Sequence, residues 1–367
     1  MKQKKLAIIY DWIDSRGGAE RLLKVFAEMY PEADWYSLVH DAKKAPWSRT
    51  LHVKTSFINS FPSFIKQNRK LIVPFMPFAI ESFNLTKYSH VLSVTSAFSK
   101  AVITRPETTH ISYVLSPPRF LWSHQAEYAT SSPIMRPYIN YLKNWDYVAA
   151  RRPDKLIAIS PEISGRIKKY YNLESDIIMP PFDYDYWAAL VDNKPVSEAS
   201  DKPYLMVSRL VHYKRVDLVI EAFKRMPSRR LIIIGDGALL NRLSHDTPTN
   251  VTFRNNVTDK ELAKHYASAK ALIMPQREDF GYVALEAQAC GCPVIAYKKG
   301  GAQSTILENE TGIFIESQNI EALQKALDKF EEVEYTIRHS LEEKAKNHLA
   351  QFSLDTFKKK FNKLILE

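Results

Sequence analysis

Short apolar runs alternate with longer amphipathic stretches along the whole chain. Residues 6–10 (LAIIY), 35–39, 53–57, 90–94, 110–114, 155–159 and 176–179 read as strands. The runs at 204–208, 231–234, 251–254, 271–274, 293–297 and 312–315 continue the pattern. Helical periodicity fills the spaces at 19–29, 135–150, 161–171, 214–223 and 260–269, then at 319–330, around 335–349 and at 354–366. Strand–helix alternation of this kind predicts an α/β protein with two doubly wound parallel sheets, their ligand crevices opening onto a shared cleft. Residues 180–202 (PPFDYDYWAALVDNKPVSEASDK) break the pattern and read as a linker. The expected domains are therefore 1–185 and 186–350, with 351–367 as a C-terminal helix packing back toward the first domain.

Composition narrows the class. A chain of 367 residues is too long for one ordinary core, and 45% hydrophobic with 25% charged residues is the balance of a soluble globular protein. No run approaches the length of a membrane span, and MKQKKLAIIYDW reads as a first strand rather than a signal peptide. Cys290 and Cys292 offer no disulfide framework, so a reducing cytoplasm is expected and the pair reads as small packing residues. The net charge of +10 is uneven: residues 1–185 hold 25 Lys and Arg against 17 Asp and Glu. The first half is therefore expected to face something anionic. Residues 57–83 carry six phenylalanines, with Lys66, Arg69 and Lys70 among them and Glu81 as the sole acid. Such a segment suits a lipid headgroup interface, although core packing explains the same aromatics. No nucleic-acid motif accompanies them.

Glycine is scarce, ten where about 25 would be ordinary. Eight of the ten fall at strand–helix turns, where backbone must come close to something. Gly17-Gly18 opens the first helix, a geometry that suits phosphate. Arg209 ends one strand and Lys214 starts the next helix, two cations able to neutralise a diphosphate. Gly235-Asp236-Gly237 makes another tight turn. The richest stretch is 275–305, PQREDFGYVALEAQACGCPVIAYKKGGAQST. Glu278 and Glu286 stand eight positions apart there, with Phe280-Gly281 where loop becomes helix and Gly300-Gly301 after the next strand. Asp183-x-Asp185 has the form of a metal-binding pair but sits at no strand end, and no metal site is expected.

These motifs, in this order and spacing, resemble the retaining, sugar-nucleotide-dependent glycosyltransferases of family 4, which have the GT-B fold of two Rossmann-like domains. The stretch Glu278–Glu286 is similar to that family's pair of glutamates separated by seven residues, and the resemblance covers nearly the whole chain. Residues 70–77 (KLIVPFMP) and 117–122 (PPRFLW) further resemble bacterial mannosyltransferases of O-antigen and exopolysaccharide assembly. The resemblance implies a peripheral membrane enzyme at the inner face of the plasma membrane. It would move mannose from GDP-mannose onto a lipid-linked or polysaccharide acceptor in lipopolysaccharide or exopolysaccharide synthesis.

It also implies roles. Glu278 would bind the donor sugar at the reacting face and Glu286 the ribose hydroxyls. Arg209 and Lys214 would neutralise the diphosphate and, with Glu278, form the catalytic set. Gly17, Gly18, Gly235, Val257, Phe280, Gly281, Tyr282 and Val283 would complete the donor site. Asp11, Glu20, Arg119 and His124 are the acceptor-side candidates. Neither metal nor cofactor would be needed. The first half departs from the family, which commonly has a histidine where Leu115 stands, another near Phe98 and an asparagine near Ile159. His110 and His124 lie close to Leu115 in sequence but need not replace its histidine. A sugar-nucleotide-binding partner subunit without turnover therefore stays open as the alternative.

Overall fold

A computed structural model describes residues 5–14, 18–123, 136–191 and 202–366. The chain divides into two compact units, Met1–Pro180 with Lys358–Glu367, and Pro181–Phe357.

The first unit is built on seven strands: β1 (Leu6–Ile13), β2 (Asp34–His40), β3 (Val53–Thr55), β4 (His90–Thr95), β5 (Thr109–Val114), β6 (Lys155–Ala158) and β7 (Asp176–Ile177). They lie in the order β3-β2-β1-β4-β5-β6-β7, every pair parallel. A parallel sheet covered on both faces needs apolar strands throughout, and β4 is buried at all six positions. The last ten residues complete this unit: Phe361 meets the rings of Phe26 and Tyr113 edge-on, and Tyr30 donates to Asn362 Oδ1 at 3.2 Å.

The second unit repeats the plan with β8 (Tyr204–Val207), β9 (Leu231–Ile234), β10 (Val251–Arg254), β11 (Leu272–Met274), β12 (Val294–Tyr297) and β13 (Gly312–Ile315). The order is β10-β9-β8-β11-β12-β13, again all parallel. From β8 the chain winds outward through β9 and β10, then returns to β11 and winds the other way. The strand order therefore reverses between β8 and β11, and a doubly wound sheet opens its crevice at such a reversal.

Several local expectations change. The two helices expected at 319–330 and 335–349 are one, Ile320–Leu349. No glycine or proline interrupts that span, and Leu323, Leu327, Phe330, Ile337 and Leu341 keep one face buried. Lys214 does not begin a helix: it closes the 3-10 turn His212–Lys214, and Arg215 takes a left-handed φ of 53° before Val216–Lys224. The linker contains a helix, Tyr184–Ala189, capped by the Asp183 carboxylate accepting from the Tyr186 amide at 2.9 Å. The Asp-x-Asp pattern thus contains a helix cap. Residues 57–81 form consecutive short helical turns that divide their side chains, Ile58, Ile72, Met76 and Ile80 entering the core. Both cysteines are buried, and burial pushes the Cys292 thiol up to about 12, so they are inert packing residues.

Candidate functional site

The sheet of the second unit brings its candidate residues to one edge. Arg209 and Lys214 follow β8, Gly235 follows β9, Val257 follows β10, and Glu278 follows β11. All six strands are parallel, so these loops share the carboxyl end of the sheet. The loops after β8 and β11 flank the reversal of strand order, and a short ion pair joins them, Lys214 Nζ to Glu278 Oε1. Both side chains are largely buried, 11% and 14% exposed.

Glu278 is held on one side only. Its Oε1 also accepts from Gln276 Nε2 at 2.6 Å, while among the described residues Oε2 receives no hydrogen bond. Burial by itself would raise this carboxyl's pKa. The Lys214 charge and the hydrogen bonds from Lys214 and Gln276 outweigh burial, and the net shift is downward. A carboxylate fixed through one oxygen and open at the other can accept from a ligand hydroxyl without reorganising.

Tyr213 organises the cations. Its hydroxyl accepts from Arg209 Nη2 at 2.9 Å, and the Lys214 ammonium lies 5.1 Å from its ring centroid. Arg209 is otherwise exposed, so its guanidinium face remains available for an anion.

The Glu278 loop is stitched to the turn after β12. Glu278 bridges to Gly300 in parallel fashion, and the Gly301 amide donates to Glu278 O at 2.8 Å. A Cβ at Gly301 would stand 2.0 Å from the Phe280 carbonyl oxygen, so only glycine lets these strands of backbone approach. Gly281, with φ of 102°, then turns the chain into the helix Tyr282–Ala289. Its first amides, Tyr282 and Val283, lie at the positive end of that helix. Phe280 is buried with its ring edge-on to Tyr282 and Phe352.

Glu286 lies one turn further along the helix, 3% exposed, its Oε2 accepting from the Tyr266 hydroxyl at 3.0 Å. Burial, then the nearby Glu286 charge, pushes that phenol well above its ordinary range, so it stays a donor. Val257 is half-buried just before Thr258, which forms a capping box with Glu261 and opens the helix Asp259–Ser268.

The candidates of the first unit lie on or after β1 and after β5, toward the carboxyl end of its parallel sheet. Asp11 is fully buried, and its two oxygens collect six hydrogen bonds from Ser96 to Ser99, four of them backbone amides. Gly18 begins the helix Gly18–Met29, Glu20 is buried on it, and Arg119 is half-buried at the head of the turn Arg119–Trp122. Gly17 and His124 lie outside the described residues. His110 is fully buried against Ser93 Oγ at 2.9 Å, and burial, helped by the Arg152 charge, lowers its pKa to about 3. It is a neutral core residue. Phe98 and Ile159 are buried, Phe98 between Phe120 and Trp145, and Leu115 is half-buried.

Three residues at the site escaped the sequence: Gln276, Tyr213 and Tyr266. Gln276 stands two positions before Glu278 at a strand end, which was a legible signal. Tyr213 and Tyr266 carry none, because their partners are set by folding.

Residues 191–348, less than half of the chain, match the family model for glycosyl transferases group 1. A GDP-mannose-dependent alpha-(1-6)-phosphatidylinositol monomannoside mannosyltransferase of Mycolicibacterium smegmatis is 34% identical over 145 residues, 35% of this chain and 38% of that protein. The chain thus aligns with little more than a third of that relative. Among solved structures, sucrose-phosphate synthase from Thermosynechococcus elongatus superposes with a TM-score of 0.73 at 18% identity, covering 99% of this chain and 98% of that one. Anabaena HepE in complex with UDP and glucose gives 0.69 at 18% identity, with both chains covered completely. Fold likeness thus runs the length of the chain, while family likeness is concentrated where Lys214 and Glu278 meet. Residues 191–348 of the second unit thus match the glycosyl transferases group 1 model, in a chain with the GT-B fold.

Proposed function

We propose that this protein is a retaining glycosyltransferase that moves a hexose, mannose from GDP-mannose, onto a lipid-linked glycan acceptor at the inner face of a membrane. The Lys214–Glu278 pair at the strand-order reversal, with Glu278 Oε2 open, carries the reading. In it, Glu278 accepts from a donor-sugar hydroxyl, and Glu286 takes the ribose hydroxyls by exchanging its bond with Tyr266. Arg209, Lys214 and the Tyr282 and Val283 amides meet the diphosphate, whose charge grows as the glycosidic bond breaks. The acceptor oxygen attacks from the face the diphosphate leaves, and the departing phosphate oxygen takes the acceptor's proton, so configuration is retained. Two cations and a helix end match the diphosphate charge in this scheme, and no metal is invoked. The mannose donor is taken from the GDP-mannose-dependent relative of Mycolicibacterium smegmatis.

The test is a thermal-shift panel of sugar nucleotides, followed by GDP release from GDP-mannose with a lipid extract as acceptor. A ligand at about 100 times its Kd adds roughly 2.7 kcal/mol of apparent stability, so the correct donor stands out. Glu278→Ala should abolish turnover, and Lys214→Ala should weaken donor binding. Full turnover in Glu278→Ala would sink the site assignment. The alternative, a binding subunit without turnover, is favoured by one observation: Phe98 and Ile159, near which the family has polar residues, are apolar and buried. A donor-induced thermal shift with no GDP release from any acceptor would select it.

A further inference from the structure

The carboxyl end of the second sheet carries the candidate site, and its amino end carries a separate pocket. Tyr204 opens β8, Arg230 directly precedes β9, and Lys270 stands two positions before β11. With Lys202, Arg225, Arg229 and Glu331 they line a cavity of about 400 Å³, a volume that suits a small ligand. β8 and β9 have four residues each and rise about 13 Å, so the cavity and the donor-side loops stand at opposite ends of the same strands. Five of the charged residues around the cavity are cations and one, Glu331, is an anion. Burial would raise the Glu331 carboxyl, but hydrogen bonds from Arg229, Tyr204 and Lys270 hold it down at about 2.

That one carboxylate does not use up the cations. Arg229 is 18% exposed; its Nη2 donates to Glu331 at 2.6 Å, but its Nη1 donates to the Met226 sulfur at 2.9 Å. A thioether is a weak acceptor for a guanidinium. Lys270 is equally buried and makes one hydrogen bond among the described residues, to Glu331 at 3.1 Å, although an ammonium has three to give. The other acids add little. Glu321 and Asp328 pair with Arg225 and Arg229 at the exposed rim, where ion pairs are weak, and Glu334 stays 3.8 Å from Lys270.

We propose that this pocket binds a small soluble anion carrying phosphate groups, at a second site apart from the donor crevice. Phosphate oxygens give Arg229 Nη1 a charged acceptor in place of a sulfur and give the Lys270 ammonium the acceptors it lacks. Arg225 and Arg230, exposed on the turn before β9, meet the same anion from the rim. A cationic ligand fits poorly, because five cations face a single carboxylate whose oxygens already accept from Tyr204, Arg229 and Lys270. A doubly wound sheet takes its nucleotide at the carboxyl ends of its strands, so this amino-end pocket is a different site. The inference goes beyond the transferase reading and does not depend on it.

The experiment is isothermal titration calorimetry of inorganic pyrophosphate into the full chain at constant ionic strength, alone and with the donor crevice first filled by GDP. Pyrophosphate should still bind with GDP present, and R225A/R230A should weaken that binding about tenfold or more. Both of those side chains are exposed, so the thermal midpoint and the GDP affinity of the variant should stay at the wild-type values. Loss of pyrophosphate binding once GDP is bound would put the anion in the donor crevice alone and overturn the proposal. So would equal affinity in the wild type and R225A/R230A, or the same heat from sodium chloride at matched ionic strength. Failure of GDP itself to bind would count against the transferase reading only. The pyrophosphate titration is then run in K214A, where adding R225A/R230A should still weaken binding and an unchanged affinity would again sink the pocket.

Discussion

Glu278 keeps its charge inside a largely buried site only because Lys214 and Gln276 both address Oε1. Its pKa is depressed below the ordinary 4.5. The contribution to stability is therefore complete above the unfolded value and is lost as pH falls through the lower, folded one. Gln276→Leu removes one hydrogen bond to a charge, about 1.5–3 kcal/mol, but also removes a buried carbonyl oxygen that has no partner among the described residues, about 1–3 kcal/mol. The expected result is a urea midpoint near wild type at pH 7. The acid limb of donor binding should move to higher pH, read by titration calorimetry across the carboxylate range. An unmoved limb would remove Gln276 from the site. Asp11 presents the opposite case, with every donor aimed at an anion. Asp11→Asn turns an NH2 toward amide and hydroxyl donors, so it should cost at least about 3 kcal/mol in denaturant unfolding. A near-neutral Asp11→Asn would mean that this cage contributes little to the fold.

At the scale of elements, the site is a product of close backbone approach. The Glu278 loop is fixed by its bridge to Gly300 and by the Gly301 amide. Gly301→Ala forces a Cβ against the Phe280 carbonyl, and overpacking of this kind costs about 1–3 kcal/mol. The displaced backbone belongs to the Glu278–Gly281 loop, so donor-induced thermal stabilisation should fall by more than the loss of fold stability accounts for. Equal losses in both would show that the turn only holds the sheet. The element scale also shows what sequence pattern could deliver. Strand positions came from apolar runs, because parallel strands are buried on both faces. The boundary between residues 330 and 335 did not: nothing in EEVEYT stops a helix, and packing carries it through.

At the scale of the molecule, chain order and spatial grouping differ. Counted to residue 185, the first half carries +8. With the unit bounds of the structure, the first unit, with 29 Lys and Arg against 16 Asp and Glu, carries +13 and the second, with 22 Lys and Arg against 25 Asp and Glu, carries −3. All four added lysines come from residues 358–367, held by Phe361 against Phe26 and Tyr113. A unit with that excess repels itself, and salt screens the repulsion over a Debye length of about 10 Å at 0.1 M. Calorimetry should show the first unit's transition rising as salt goes from about 0.01 to 0.1 M, with the second unit's moving less. Equal shifts would mean that the excess charge is already neutralised within the unit.

The sequence by itself determined the alternation of strands and helices, the sparse glycines at turns, and the spacing of Glu278 from Glu286. These are local: each depends on residues a few positions apart, where periodicity and backbone sterics act. Only the tertiary structure decided that Lys214 reaches Glu278 across 64 positions, that Tyr213 and Tyr266 join them, and that Asp11 is consumed by the backbone of Ser96–Ser99. It also decided that Ile58, Ile72 and Met76 enter the core while Phe57, Phe64, Phe75 and Phe78 face outward. Those outcomes follow from which strands become neighbours in a sheet and which side of a turn is covered. Such choices are made by the burial of whole elements, and no short stretch of sequence contains them.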